Sequence, residues 1–236
     1  MKRKNNLYHN IIDLDNIINM TNLVCKNVRN KRKVDKFEMF KSEHVINIKN
    51  RLVNKDYNFN KYNIFMITDP KFRIVMAQDI EDKIINHLIA EYFLVKIFEP
   101  KYIDSMVATR LGKGSGYGVK LLKKYLNETK REYNNFYVLK IDIKKYFYTI
   151  DHKILKRILR YNIKDKEDIS VLDKVIDSTN QDYINKEIKQ LKDKKIKYII
   201  NSSHISRLEK EKLLKEVNNI PLYNVGKGCS IGNQTS

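Results

Sequence analysis

Asp142 closes an apolar run that includes Phe136, Val138 and Ile141, and Lys144, Lys145, Tyr146, Phe147, Asp151 and His152 follow it closely. Aromatic and β-branched residues in this pattern predict a buried strand, and the charged sequence after Asp142 marks where that strand leaves the core. A carboxylate carried out of a strand mouth into a basic, aromatic setting suits one chemistry. It can hold a hard cation such as Mg2+, which takes oxygen ligands and keeps several waters, and the Ile143 carbonyl is a natural additional ligand. Magnesium-dependent nucleotidyl transfer presents its first metal ligand in this way. The plain alternative is that an Asp after a strand is a turn or cap residue. From Asp151 onward the period becomes helical: Ile154, Leu155, Ile158 and Leu159 share a face, Asp151 stands as N-cap, and His152 reads as a buried hydrogen-bonding residue.

The elements around this turn can be placed from the same kind of signal. All seven glycines fall in two clusters, at 112, 114, 116 and 118 and at 226, 228 and 232, so backbone freedom is concentrated at two loops. Tyr62–Thr68 and Phe72–Met76 flank Asp69-Pro70-Lys71, which predicts a hairpin with Lys71 and Arg73 at or beside its turn. One helix is expected from about Lys36 to Asn54, burying Phe37, Phe40, Val45, Ile48 and Leu52. A second is expected from about Ile80 to Phe98, burying Ile84, Leu88, Tyr92 and Val95 and ended by Pro100. Between 182 and 219, charged sequence with apolar residues at helical spacing predicts two helices joined by Asn201-Ser202-Ser203. The run Gly112-Lys113-Gly114-Ser115-Gly116 does not match the phosphate-binding Gly-x-x-x-x-Gly-Lys-Ser/Thr pattern, and no buried strand leads into it.

Taken in order, these segments resemble a known family. Lys140-x-Asp142-Ile-Lys-Lys-Tyr-Phe147-x-x-Ile-Asp151-His152 resembles motif A of the palm in bacterial reverse transcriptases, the group that includes group II intron, retron and diversity-generating retroelement enzymes. Asp69-Pro-Lys-Phe-Arg73-Ile-Val resembles the fingers hairpin. Tyr102 to Gly118, with Arg110-Leu-Gly-Lys113-Gly, resembles the segment that precedes motif A. Gly226-Lys-Gly-Cys-Ser-Ile-Gly232-Asn233-Gln-Thr-Ser236 resembles motif B, with Ser230 where the family commonly has Pro and Gln234 where it commonly has Leu.

The resemblance implies an α+β fold of right-hand polymerase fingers and partial palm, with N-terminal helices and fingers elements in 1–135 and palm elements in 136–236. It implies RNA-templated DNA synthesis with Mg2+, an RNA template, a DNA primer and deoxynucleoside triphosphates. Asp142 is then the catalytic metal ligand, with the Ile143 carbonyl beside it. Lys71, Arg73, Arg110, Lys113, Ile143, Phe147, Gly232 and Asn233 contact the nucleotide, and the Phe147 ring lies under its sugar. For the lysines and arginines the rival reading is a solvated surface pair, and for Phe147 an ordinary core ring. The sequence ends at motif B, before the Tyr-x-Asp-Asp turn the family uses as motif C. Two-metal chemistry needs several carboxylates around ions about 3.5–4 Å apart. The expectation is therefore a fragment inactive by itself, from a truncated reading frame, a remnant, or a split gene with the remaining palm and thumb on another chain. The alternative is a non-catalytic nucleic-acid-binding remnant, or an abortive-infection-type relative.

Composition agrees with a phosphate-rich partner. Lys plus Arg number 47 against 28 Asp plus Glu, a formal charge of +19 with a pI near 9.7, which is the footprint of a backbone binder. An AT-rich genome favouring Lys, Asn and Ile codons produces the same excess, so charge alone does not decide. The basic runs Lys2-Arg3-Lys4 and Arg29 to Lys33 are candidates for template RNA or for solvated faces. Cys25 and Cys229 are far apart and the five histidines are scattered, which excludes a disulfide framework and a zinc cluster by spacing. No apolar h-region follows the opening Met-Lys-Arg-Lys and no run of 18 apolar residues occurs, so a cytoplasmic protein without a membrane span is expected.

Overall fold

Side-chain caps mark where the helices begin. Asp13, Asn30, Asp79, Asp151, Asp165 and Ser206 each precede a helix and accept a backbone N–H of its first turn. A cap of this kind satisfies one of the donors that a helix start leaves unpaired, and is worth about 1 kcal/mol. The computed structural model describes residues 4–231. It is a mixed α+β protein, mostly helical, with one two-stranded antiparallel sheet among the described residues.

The chain forms two compact units. The first joins the residues up to Phe93 with those from Lys145 on. It contains α1 (Tyr8–Ile12), α2 (Leu14–Asn27), α3 (Lys31–Glu38), α4 (Lys41–Val53), β1 (Asn63–Ile67), β2 (Arg73–Ala77) and α5 (Ile80–Ile89). α5 runs on through a π-helical stretch, Ala90–Val95, into α6 (Lys96–Phe98). The second unit, Leu94–Lys144, holds α7 (Ser115–Glu132). Back in the first unit follow α8 (Tyr146–Thr149), α9 (His152–Asn162), α10 (Lys166–Asp177), α11 (Asp182–Asn201) and α12 (Arg207–Asn218).

One layer of the first unit's core is helix on helix: Ile11, Ile17, Ile48, Leu52, Ile84 and Leu88 are fully buried where α1, α2, α4 and α5 meet. A second layer packs the hairpin on α11. Tyr62, Ile64, Ile74 and Met76 meet Ile184, Ile188, Ile220 and Tyr223 in one buried cluster. Each such side chain contributes about 1.5–3 kcal/mol of transfer free energy, so α11, for all its charge, is a structural wall of the hairpin. Near its start the chain is tied to the end of α9 and to α10. Lys4 exchanges backbone hydrogen bonds with Asn162 and Lys164, both 2.9 Å, and the Leu7 N–H donates to buried Asp168 at 3.1 Å. Among the described residues no helix is long and apolar enough to cross a membrane.

The hairpin forms where expected, with Ile67 opposite Arg73 at its turn end, and so do the two helices of 182–219. Other expectations are corrected. The helix expected over 36–54 is two helices broken at Met39–Phe40, because α3 ends there, and Phe40 is exposed rather than buried. α1, α2 and α10 were not anticipated. In the helix expected over 80–98, the π-helical stretch adds a residue to one turn and rotates the stripe that follows. Phe93 and Ile97 are buried, Val95 is exposed and Tyr92 only half-buried. The largest correction concerns 136–141, where the buried strand does not form. That segment has no regular secondary structure, with Tyr137, Leu139 and Ile141 all more than 80% exposed. Strand propensity expresses itself only through ladder partners, and no strand among the described residues pairs with it.

Candidate nucleic-acid interface

The segment after Asp142 and the second glycine cluster lie far apart in sequence, and they meet. The Cys229 N–H donates to the Phe147 carbonyl and the Gly228 N–H to the Ile150 carbonyl, both at 2.7 Å, and the His152 N–H donates to the Gly226 carbonyl at 3.0 Å. Side chains complete the joint. The Gly228 carbonyl accepts from Thr179 Oγ1 at 2.8 Å and lies 2.7 Å from His152 Nε2, while Asn180 Oδ1 accepts the Gly226 N–H at 2.9 Å. His152 is buried as expected, and Asp151 caps α9, its carboxyl held below the usual carboxylate range by the Ile154 N–H.

Gly228 shows why glycine is required at this joint. Its φ is +88°, and a Cβ there would stand 2.7 Å from Cδ1 of the Tyr223 ring and 3.1 Å from the Phe147 carbonyl oxygen. Tyr223 is anchored in turn by Asn185, whose side chain bonds its N–H and its carbonyl at 2.9 and 2.8 Å. The Tyr223 ring packs 4.8 Å from that of Tyr148. Burial pushes the Tyr148 hydroxyl up to about 12 and the Tyr223 hydroxyl higher still, so both are neutral donors at physiological pH. The Phe147 ring is half-buried against Tyr146, centroids 5.3 Å apart. Gly232 and Asn233 lie outside the described residues.

The hairpin belongs to the same assembly through the Tyr223 cluster and through the Met76 N–H, which donates to the Ile231 carbonyl at 3.4 Å. Lys71 and Arg73 are both exposed at its turn end. α11 brings a cation that sequence reasoning passed over: Lys195 Nζ lies 5.4 Å from the Phe72 ring centroid and 4.9 Å from that of Tyr198. The signal was present in Ile184 and Ile188, whose helical spacing fixes which face of α11 packs on the hairpin.

A cleft of about 940 Å3 opens beside the hairpin's other face, floored by Val24, Val28, Phe37 and Phe65. Arg29, Lys33, Lys36 and Lys83 line it without carboxylate partners among the described residues. Its own acids are engaged elsewhere: Asp79 caps α5 and bonds Asn60, and Glu81 faces His44 and Arg51. Burial, and after it the Lys33 charge, lowers the Lys83 ammonium, and burial with the Lys83 charge lowers His87. Unneutralised cations around an apolar floor with a partly exposed ring suit a strand whose phosphates are anionic and whose bases stack.

No family model and no curated protein matches this chain.

The remaining expected residues belong to the second unit. Arg110 is a loop clamp: Nε and Nη2 donate to the Glu99 carboxylate at 2.8–3.2 Å, and Nη1 donates to the carbonyls of Ile103 and Met106, each at 2.9 Å. Lys113 donates to the Asp104 carboxylate, which also accepts from the Tyr117 hydroxyl at 2.6 Å. These bonds account for both cations within their own loop. Asp142 and Ile143 are exposed and outside any helix or strand, and among the described residues no three potential metal-ligating side chains gather. One carboxylate and one backbone carbonyl are too few protein oxygens to hold two Mg2+ ions.

Proposed function

We propose that this chain is the fingers and part of the palm of an RNA-directed DNA polymerase. In the complete enzyme a primer 3'-hydroxyl attacks the α-phosphate of a deoxynucleotide paired to an RNA template, with Mg2+ as the metal and Asp142 as one of its ligands. One observation carries the reading: the segment that follows Asp142 and the glycine turn at 226–231 are joined by backbone hydrogen bonds, and the same assembly holds the hairpin that carries Lys71 and Arg73. This joint gives the motif order a spatial counterpart. The described residues supply one carboxylate at the expected metal site, so the chain by itself is a binder whose chemistry requires further carboxylates.

A second reading, a nucleic-acid-binding protein without polymerase chemistry, is favoured by the cleft, whose unpaired cations need no metal to hold a phosphate backbone. Both readings require RNA binding, and salt tests it. The affinity of the 236-residue chain for an RNA–DNA hybrid with a single-stranded RNA overhang is expected to fall log-linearly with salt. The Lys71→Ala/Arg73→Ala variant is expected to lower the magnitude of the slope by about 2, one for each phosphate that is no longer neutralised. An affinity indifferent to salt would overturn both readings. A steep slope unchanged in the double variant would remove the hairpin from the interface.

A further inference from the structure

A separate cavity of about 820 Å3 lies in the first unit, walled by residues 58–61 and by α9, α10 and the start of α11. Its volume is in the range of small-ligand sites. Its charges are unevenly matched. Arg160 is paired with Asp173, Nη2 to Oδ2 at 2.5 Å, and Asp177 is taken by Lys156. Among the described residues Lys61 and Lys166 have no carboxylate partner, and Lys174 reaches only the backbone carbonyls of Lys55 and Tyr57, at 3.1 and 2.7 Å. Three ammonium groups thus bring positive charge to one cavity with no anion assigned to them.

Phe59 adds an aromatic ring to the lining. A ligand that answers the cations and the ring has several negative charges and a planar ring to stack. We propose that this cavity binds a free nucleotide. Its phosphates are held by Lys61, Lys166 and Lys174, and its base lies against Phe59. The site is independent of the polymerase reading and uses none of its residues.

Isothermal titration of the 236-residue chain with ATP, GTP, CTP and UTP, without divalent metal, tests this. At least one is expected to bind, with affinity falling about tenfold in Lys61→Ala and again in Lys166→Ala, the usual worth of one charge-assisted hydrogen bond. Both lysines are exposed, so these variants keep the fold. Phe59→Ala is expected to weaken nucleotide binding while leaving inorganic triphosphate binding unchanged. Lys71→Ala/Arg73→Ala is expected to leave nucleotide affinity intact. Absence of binding would overturn the proposal. So would loss of binding in the hairpin variant, which would assign the nucleotide to the polymerase site, or inorganic triphosphate binding as tightly as every nucleotide, which would reduce the cavity to an anion hole. Failure of RNA binding leaves this result untouched.

Discussion

The two glycine clusters are held in opposite ways. The turn at 226–231 is closed by backbone hydrogen bonds, a buried histidine and a buried tyrosine ring, and Gly228 has no room for a side chain. The loop at 110–118 is closed by Arg110 on Glu99 and by Lys113 and Tyr117 on Asp104, and Gly112 and Gly114 face open space. Both loops use positive φ. What differs is what would resist a change. In the first, packing and unreplaceable backbone donors fix the geometry. In the second, ion pairs do so whose carboxylates, Glu99 and Asp104, are open to water and therefore partly screened.

Gly228→Ala is the sharpest way to break this contrast. It adds the left-handed penalty, about 1–2 kcal/mol, to overpacking against Tyr223, about 1–3 kcal/mol. Gly112→Ala, at φ +71° with nothing within 4 Å, is expected to cost only the first of these. Urea midpoints at constant m-value measure both, and equal losses would erase the distinction.

A buried carboxyl and an exposed one extend the comparison to pH. Burial and the neighbouring Asp79 push Asp82 up to about 7, against hydrogen bonds from Tyr57 and the Asn60 N–H. Its folded pKa lies above its unfolded value, so the native state holds the extra proton. Its stabilising contribution is present at low pH and is lost as pH rises from about 4 through 7. At about 1.4 kcal/mol per unit this amounts to a few kcal/mol. Thermal melts between pH 5 and 8 are expected to fall in the parent and to flatten in Asp82→Asn. An unchanged slope in the variant would assign the pH dependence elsewhere.

Asp104 behaves in the reverse sense. Hydrogen bonds from Lys113 and Tyr117 hold its carboxyl below the usual range. Its contribution is present above the unfolded value near 4 and is lost as pH falls through the lower folded value. Amide exchange in 104–118 is expected to quicken below pH 4 relative to 226–231, after correction for intrinsic rates. Asp104→Asn should show the same quickening at pH 7. This is the smallest of the three effects, and equal responses in both loops would refute the contrast.

What could be read in the sequence follows the range of the forces. The hairpin was legible because Asp69-Pro70-Lys71 and the alternation of Ile64, Ile74 and Met76 are local signals. The cap at Asp151 and the burial of His152 were legible for the same reason. The strand at 136–141 was misread because apolar residues specify a strand only when a partner ladder exists. Arg110 was read from its neighbours in sequence, whereas Glu99, eleven residues earlier, decides what its guanidinium touches. Phe65, Lys33 and Lys83 form one cleft only after α3, α5 and the hairpin pack, and no spacing in the chain announces it.

The division of the first unit sets an order of assembly. Its residues up to Phe93 leave a nascent ribosome well before those from Lys145 on, and Leu94–Lys144 emerges between them as a unit of its own. The walls that Ile184 and Ile188 give to the hairpin, and the Asp168 acceptor for Leu7, 161 residues away, arrive only once the chain has been extended past them. Closing so long a loop must precede the packing that rewards it. Ile64, Ile74 and Met76 therefore wait uncovered on a two-stranded ribbon, itself marginal in water, while more than a hundred residues are translated. That interval is when the chain is most exposed to aggregation and most dependent on chaperones.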